Sequence, residues 1–487
     1  MHTLSDANLL INGTVRPSSN GKSFPNVSPW SGEPIGIAAE ATECDVEEAI
    51  AAARNAFDLS DWSYNRPLRL QLITKFMDLL VANRDSLVQI ARLEAGSAIG
   101  AACFAQVDGA LNGGKELLEC FNKVCWEEDR GVKSEFGFDS ERIIVHEPLG
   151  VVGAITPWNV PLYVNIGKVI AALLSGCTVI LKPAPDTPKM ASIMGELAVE
   201  AGLPAGVFNV LTSSDPAMVG ELLVADPRVN VISFTGSTTV GKRIMEAGAA
   251  TLKRIFLELG GKSVNIILDD APDFTMAVMR SIVVFHAGQG CAIPTRLLVP
   301  KSRYTEAVEA LKMAYAGFAD NWGNMDSPEQ MMGPVISQKQ HDRVLSYIEL
   351  GKQEGATLLV GGKSRPDKGT GYFIEPTCFV DVDNKMRIAQ EEIFGPVLVV
   401  IPFEDDEDAI RLANESNYAL GGAVTGSKER AMKVAKRISA GAVSVNGGMS
   451  ITGDLPFGGF KGSGMGREWG VEGIQEFLDT KVIASSV

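Results

Sequence analysis

The 487-residue sequence predicts an α/β fold, a doubly wound parallel sheet. From residue 150 onward, apolar runs of strand length alternate with segments whose apolar residues recur at helical spacing. The 50 glycines often fall between these runs, where tight strand-to-helix turns need them. The chain also exceeds what a single core supports, so two or three domains are expected.

In order along the chain, the first ~35 residues are rich in Asn, Ser, Gly and Pro and read as short strands and turns. Helical spacing covers 45–60, 66–93 and 100–122. Residues 126–147 are charged and irregular and end in a short alternating strand, 142–146, which reads as an excursion out of the domain. Strands then fall at 150–155, 178–182, 207–211, 231–235 and 255–259, with helices at about 160–174, 188–201, 216–225 and 239–249. A second α/β series follows: a helix over 272–286, a strand at 296–300, helices at 304–317 and 338–354, and a strand at 397–402. The strand at 480–484 has no partner nearby and is expected to pair with another domain or another subunit.

The net charge of −15 and pI near 4.9 argue against nucleic acid and against an anionic membrane surface. The longest apolar stretch, 166–181, is interrupted by Lys168 and reads as a helix followed by a strand rather than a membrane span. The seven cysteines (Cys44, Cys103, Cys120, Cys125, Cys177, Cys291, Cys378) form no CxxC pair, so neither a metal site nor a disulfide framework is indicated. Reduced thiols and a start without the layout of a secretory signal point to the cytoplasm.

Three segments carry chemistry. Cys291 is flanked by the small residues Gly290 and Ala292, which leave its sulfur accessible; it is a nucleophile if its surroundings activate it, and otherwise a structural thiol. Of the four histidines, only His286 is close in sequence, and spacing leaves it open as a base. Glu258, at the end of an apolar strand and before Gly260 and Gly261, is either a structural ion-pair member or a carboxylate raised by burial to act as a base. The segment Phe234-Thr-Gly-Ser-Thr-Thr-Val-Gly241 runs from strand through small residues into a helix, which suits a phosphate, although it is not GxGxxG and a plain strand-to-helix turn is the more common explanation of such a motif taken alone.

Taken together, these segments resemble the aldehyde dehydrogenase superfamily over nearly the whole chain. The matching motifs, in family order, are Thr156-Pro-Trp-Asn-Val-Pro161, Leu181-Lys-Pro-Ala184, Phe234-Thr-Gly-Ser237, Leu257-Glu-Leu-Gly-Gly-Lys262, Gly288-Gln-Gly-Cys291, Glu391-Glu-Ile-Phe-Gly-Pro396, Pro456-Phe-Gly-Gly-Phe-Lys461 and Gly466-Arg-Glu468.

The resemblance implies NAD(P)-dependent oxidation of an aldehyde to an acid through a thioester on Cys291, with the Asn159 amide and the Cys291 N–H as oxyanion hole and Glu258 activating the hydrolytic water. Lys168 and Glu468 would relay the proton. Thr156, Trp158, Gly236, Ser237 and Leu259 would border the cofactor, with Lys182 at the adenosine ribose and Glu392 and Phe394 around the nicotinamide. NAD is the expected cofactor, but NADP stays open because Pro185 stands where many relatives carry an acid, one position before Asp186. Lys189 is a remote candidate for clamping a 2′-phosphate.

A substrate pocket would include Val160, Gly167, Met449 and Phe457. Val160 and Gly167 replace aromatic residues of many relatives, which predicts a wide entrance and a bulky apolar or aromatic aldehyde, unless Met449, Ile451, Phe457 or the 100–115 helix fills the space. Coenzyme A-dependent relatives generally lack the Glu258 carboxylate, so hydrolysis is favoured over acylation. An inactive binding homologue need not keep Cys291, Asn159 and Glu258 together. The resemblance further implies a Rossmann-like cofactor domain (1–125 and 149–257), a catalytic domain (258–473), a bridging element (126–148 and 474–487), and a homodimer or homotetramer.

Overall fold

The computed structural model describes residues 3–319 and 321–487, so His2 lies outside it. Two sheets organise the molecule. The first has eight strands in the order Thr14–Arg16, Leu9–Ile11, Phe208–Val210, Thr178–Lys182, Val151–Ile155, Val231–Thr235, Arg254–Glu258 and Gly464–Met465. Its five central strands are parallel. Chain order reverses between Val151–Ile155 and Val231–Thr235, and a crevice for ligands opens at the carboxyl ends of the strands at such a switch point.

Helices cover both faces of this sheet. One core cluster packs Ile73, Phe76, Ile166, Ile170 and Met194 against Val179 and Leu181; the other packs Val46, Ile50 and Leu223 against Ile180 and Ile232. Val179 and Leu181 thus face one side and Ile180 the other, the period of two that a strand imposes.

The helix Pro161–Ser175 that feeds the site starts with proline at its first position, where a missing N–H costs nothing, and stops at Gly176 with φ +102°. The segment read as one helix over 66–93 is two, Arg66–Ala82 and Arg84–Glu94, broken at Asn83. The segment at 100–122 contains a π-helical turn, Ala102–Asp108.

The second sheet has seven strands, ordered Thr357–Val360, Thr377–Val380, Val397–Phe403, Arg296–Pro300, Val264–Ile267, Gly421–Thr425 and Ala442–Val445, all parallel except the first pair. The helix expected over 272–286 is corrected to six residues, Phe274–Met279. Beyond it the β-branched pair Ile282 and Val283 weakens helix propensity, and His286 and Ala287 take left-handed φ of 46° and 52°. These two residues turn the chain towards Cys291.

The charged stretch expected to be irregular is a hairpin, Glu127–Glu135 with Phe138–Pro148, and the tail strand Leu478–Ser486 completes a three-stranded antiparallel sheet with it. Charge in this stretch reflected exposure on both faces rather than absence of a strand. Gly464–Met465 lies late in the chain yet forms the edge of the first sheet, next to Arg254–Glu258.

Candidate active site

The first sheet brings four strand ends into line. Register pairs Ile155 with Lys182 and Thr235 with Glu258, while Phe234 lies beside Ile155. The loop after Ile155 supplies Thr156, Trp158 and Asn159, and the turn after Thr235 supplies Gly236 and Ser237. Segments distant in sequence therefore meet at the carboxyl ends of these neighbouring strands.

Cys291 reaches this edge from the other sheet, and glycine makes the approach possible. A Cβ on Gly261 would lie 2.2 Å from the Cys291 carbonyl oxygen, and one on Gly260 would lie 2.6 Å from the Glu392 carboxylate. The Gly261 N–H donates to Glu392 Oε1 at 2.9 Å. The Cys291 thiol lies within electrostatic reach of the Glu258 carboxylate, whose Oε1 is buried and has no partner among the described residues.

Asn159 is buried and its Nδ2 donates to the Gln289 carbonyl at 3.1 Å, two residues before Cys291. Among the described residues the Cys291 backbone N–H has no protein acceptor. Asn159, Cys291 and Glu258 are thus brought together.

His286 is not part of this set. It is fully buried, its ring contacts the Gln106 amide at 3.4 Å, and burial pushes its pKa down to about 4. A neutral imidazole whose recorded side-chain partner is Gln106 gives no support to a Cys–His pair. The carboxylate alternative is the one with geometry behind it.

Electrostatics explain how a thiol and a carboxylate coexist here. Burial first, and then the neighbouring Glu468 charge, raise Glu258 above the usual carboxylate range, against the opposing effects of the neighbouring Cys291 and Lys168. Burial first, and then Glu258, push the Cys291 thiol up. Burial thus disfavours the anionic form of both groups, thiolate and carboxylate alike. Lys168 is buried, donates to Ser233 Oγ at 2.9 Å and pairs with Glu468, which also accepts from Thr235 Oγ1 at 3.4 Å.

Several of the residues expected around a cofactor lie at or next to these strand ends. Ser237 caps the helix Thr238–Gly248, accepting from Val240 N at 3.4 Å. Leu259 packs on that helix where a Cβ on Gly241 would lie 2.6 Å from it. Thr156 Oγ1 is buried without a partner among the described residues. Lys182 donates to the Pro216 carbonyl at 3.2 Å, and burial lowers its pKa to about 8. The rings of Trp158 and Phe394 meet edge to face at 5.3 Å.

The substrate side departs from expectation. Gly167 does not leave a gap: the indole of Trp469 fills it, and a Cβ on Gly167 would lie 2.8 Å from that ring. Phe457 is buried, Val160 half-buried at the start of the helix, and Met449 is 73% exposed, so Met449 does not fill the space either.

Residues not singled out from sequence also enter the site. Gln106, from the π-helical turn, donates to the Asn159 carbonyl at 3.2 Å. The Tyr163 hydroxyl is buried, has no partner among the described residues, and feels the charges of Glu468, Glu116 and Cys291. Nothing local marked Gln106.

The family model for the aldehyde dehydrogenase family matches residues 15–483. Aldehyde dehydrogenase 1 of Tanacetum cinerariifolium is 37% identical over 484 residues, covering 98% of this chain and 95% of that protein. Among solved structures, betaine aldehyde dehydrogenase from Staphylococcus aureus in complex with NAD+ superimposes with a TM-score of 0.94 at 36% identity, covering 98% of this chain and 95% of that one. A cysteine-to-alanine mutant of aldehyde dehydrogenase C from Pseudomonas syringae, complexed with NAD+ and octanal, gives 0.89 at 38% identity, covering 98% and 96%. With the sheet-edge constellation and a match spanning nearly the entire sequence, this chain belongs to the aldehyde dehydrogenase family.

Proposed function

We propose that the protein oxidises an apolar aldehyde to its carboxylic acid with NAD, by way of a thioester on Cys291 that water hydrolyses. The single observation carrying this reading is the Cys291 thiol set beside a buried Glu258 carboxylate whose Oε1 is unpartnered among the described residues.

The crevice residues fit a dinucleotide. The Thr238–Gly248 helix N-terminus favours a pyrophosphate, Lys182 a ribose, and the buried Thr156 hydroxyl offers an unused hydrogen bond. Asp186, within electrostatic reach of Lys182, favours NAD over NADP. NAD would accept the hydride that leaves the substrate carbon.

Cys291 sulfur attacks the aldehyde carbon as Glu258 takes the thiol proton. The Asn159 amide and the Cys291 N–H hold the oxygen that becomes negative. Once hydride has left, a thioester remains on Cys291. Glu258 then removes a proton from water as that water adds to the acyl carbon; the acid departs and the thiol is restored. Lys168 and Glu468 pass the proton away from Glu258. Trp158 and Phe394 would flank the nicotinamide, beside Glu392.

Val160, Tyr163 and Phe457 supply apolar surface for an aldehyde larger than acetaldehyde. Higher kcat/KM for acetaldehyde than for octanal or benzaldehyde would sink the substrate proposal alone. The three-stranded sheet, with Phe136 92% and Val482 67% exposed, is proposed to bridge subunits of a homodimer or homotetramer. The proposed compartment is the cytoplasm, as all seven cysteines are unpaired. Among the described residues no helix is long and apolar enough to cross a membrane.

The decisive experiment is rapid mixing with NAD and aldehyde. Cys291→Ala abolishes reduced-cofactor formation, while Glu258→Gln keeps a first-turnover burst that forms more slowly and loses about 10²–10⁴-fold in steady turnover. Activity in Cys291→Ala, or turnover requiring coenzyme A, defeats the mechanism.

A further inference from the structure

Trp469 combines three unusual features. Its backbone has φ 66° and ψ 172°, a left-handed conformation that side chains rarely adopt. Its side chain is nonetheless 1% exposed. The indole sits in a slot with glycine on two helices, since a Cβ at either Gly113 or Gly167 would lie 2.8 Å from the ring. Tyr163, one helical turn before Gly167, packs on the ring at 4.5 Å. A fit this close holds the backbone in place, because neither glycine leaves the ring room to tilt.

The residue immediately before it is Glu468. The backbone of Glu468 is pinned on both sides by Phe457, through hydrogen bonds of 2.7 and 2.8 Å, and its carboxylate meets Lys168 and Thr235. Lys168 lies one residue after Gly167 on the same helix, so ring and ion pair join the same two segments.

We propose that Trp469 is a positioning residue: its indole, seated between Gly113 and Gly167, locks the Glu468 carboxylate onto Lys168 beside the Glu258 base. This rests on the reading of Glu258 as the base for hydrolysis. Filling the space at Gly167 from the Glu468 side ties pocket shape to proton handling.

Of the groups that bear on Glu258, Glu468 and Glu392 disfavour its ionisation, and Cys291 and Lys168 favour it. If Trp469 is trimmed and Glu468 swings away, a repelling charge is lost and the Lys168 cation is left facing Glu258. Both changes ease ionisation, so the acid limb of the kcat profile moves to lower pH.

The test measures burst amplitude and the pH dependence of steady turnover for wild type, Trp469→Leu, Trp469→Phe, and Trp469→Leu combined with Gly167→Trp. The expected result is a preserved burst in both single variants and an acid limb lowered by about half a pH unit or more in Trp469→Leu. The Phe variant should show a smaller shift, and the double variant, with the ring returned from the helix side, should move back towards wild type. An unchanged pH profile in both single variants, with only thermal stability reduced, overturns the proposal. Should Trp469→Leu not fold, Trp469→Phe alone decides by the same criterion. Absence of a burst in the wild-type protein instead defeats the underlying assignment of the reaction.

Discussion

His286 precedes Cys291 by only five positions, yet the side chain that bears on the thiol is Glu258, thirty-three positions before it. Sequence proximity misleads here because the left-handed turn at 286–287 directs the imidazole away, onto Gln106. That burial has a measurable consequence. With a folded-state pKa near 4 against 6.5 unfolded, His286 binds its proton more readily in the unfolded chain, so stability present above pH 6.5 is lost as pH falls towards 4. Replacing His286 with Asn, which tolerates the left-handed backbone, should flatten this dependence by up to about 3 kcal/mol in denaturant titrations at pH 7 and pH 4.5. Parallel curves for the two proteins would show that the imidazole is not held neutral. Cys291, Glu258 and Asn159 were legible in the sequence because their motifs are continuous. The Trp469–Gly167 exchange was not, since a vacated volume is a property of space and its new occupant lies about three hundred residues away.

Among the elements, the helix Pro188–Ala201 shows how one buried carboxylate secures a start. Thr187, at the usual capping position, makes no side-chain cap. Glu94 caps in its place from the end of another helix, accepting from Lys189 N at 2.6 Å and Met190 N at 3.1 Å, and also from Asn26 Nδ2 at 2.8 Å. Replacing Glu94 with Ala leaves three buried donors unsatisfied and should cost about 2–4 kcal/mol in urea unfolding, with Glu94→Gln milder. A loss below about 0.5 kcal/mol in the Ala variant would mean the donors find other partners. The helix itself was readable from Pro188 and Gly202, which mark its ends; the distant cap was not. The opposite holds at 272–286, where apolar spacing suggested a helix but the path to Cys291 required an irregular chain. Strands such as Val264–Ile267 and Gly421–Thr425 passed unnoticed because four or five residues carry too little pattern to stand out.

For the whole molecule, the three-stranded sheet formed by 127–148 and 478–486 projects apolar side chains that nothing in one chain covers. If it bridges subunits, Val482→Asp should lower the assembly mass measured by light scattering at micromolar concentration while single-turnover chemistry persists. An unchanged mass excludes this sheet as the contact.

The last strand of the first sheet has a different consequence, for biosynthesis. Gly464–Met465 closes the edge beside Glu258, and Glu468 neutralises the buried Lys168. A ribosome that has released only the first half of the chain therefore displays a layer with an open flank and a sequestered ammonium lacking its counter-ion, a defect costing about 3–5 kcal/mol. The amino-terminal half is thus expected to close that flank and satisfy Lys168 only once residues 464–468 are in place.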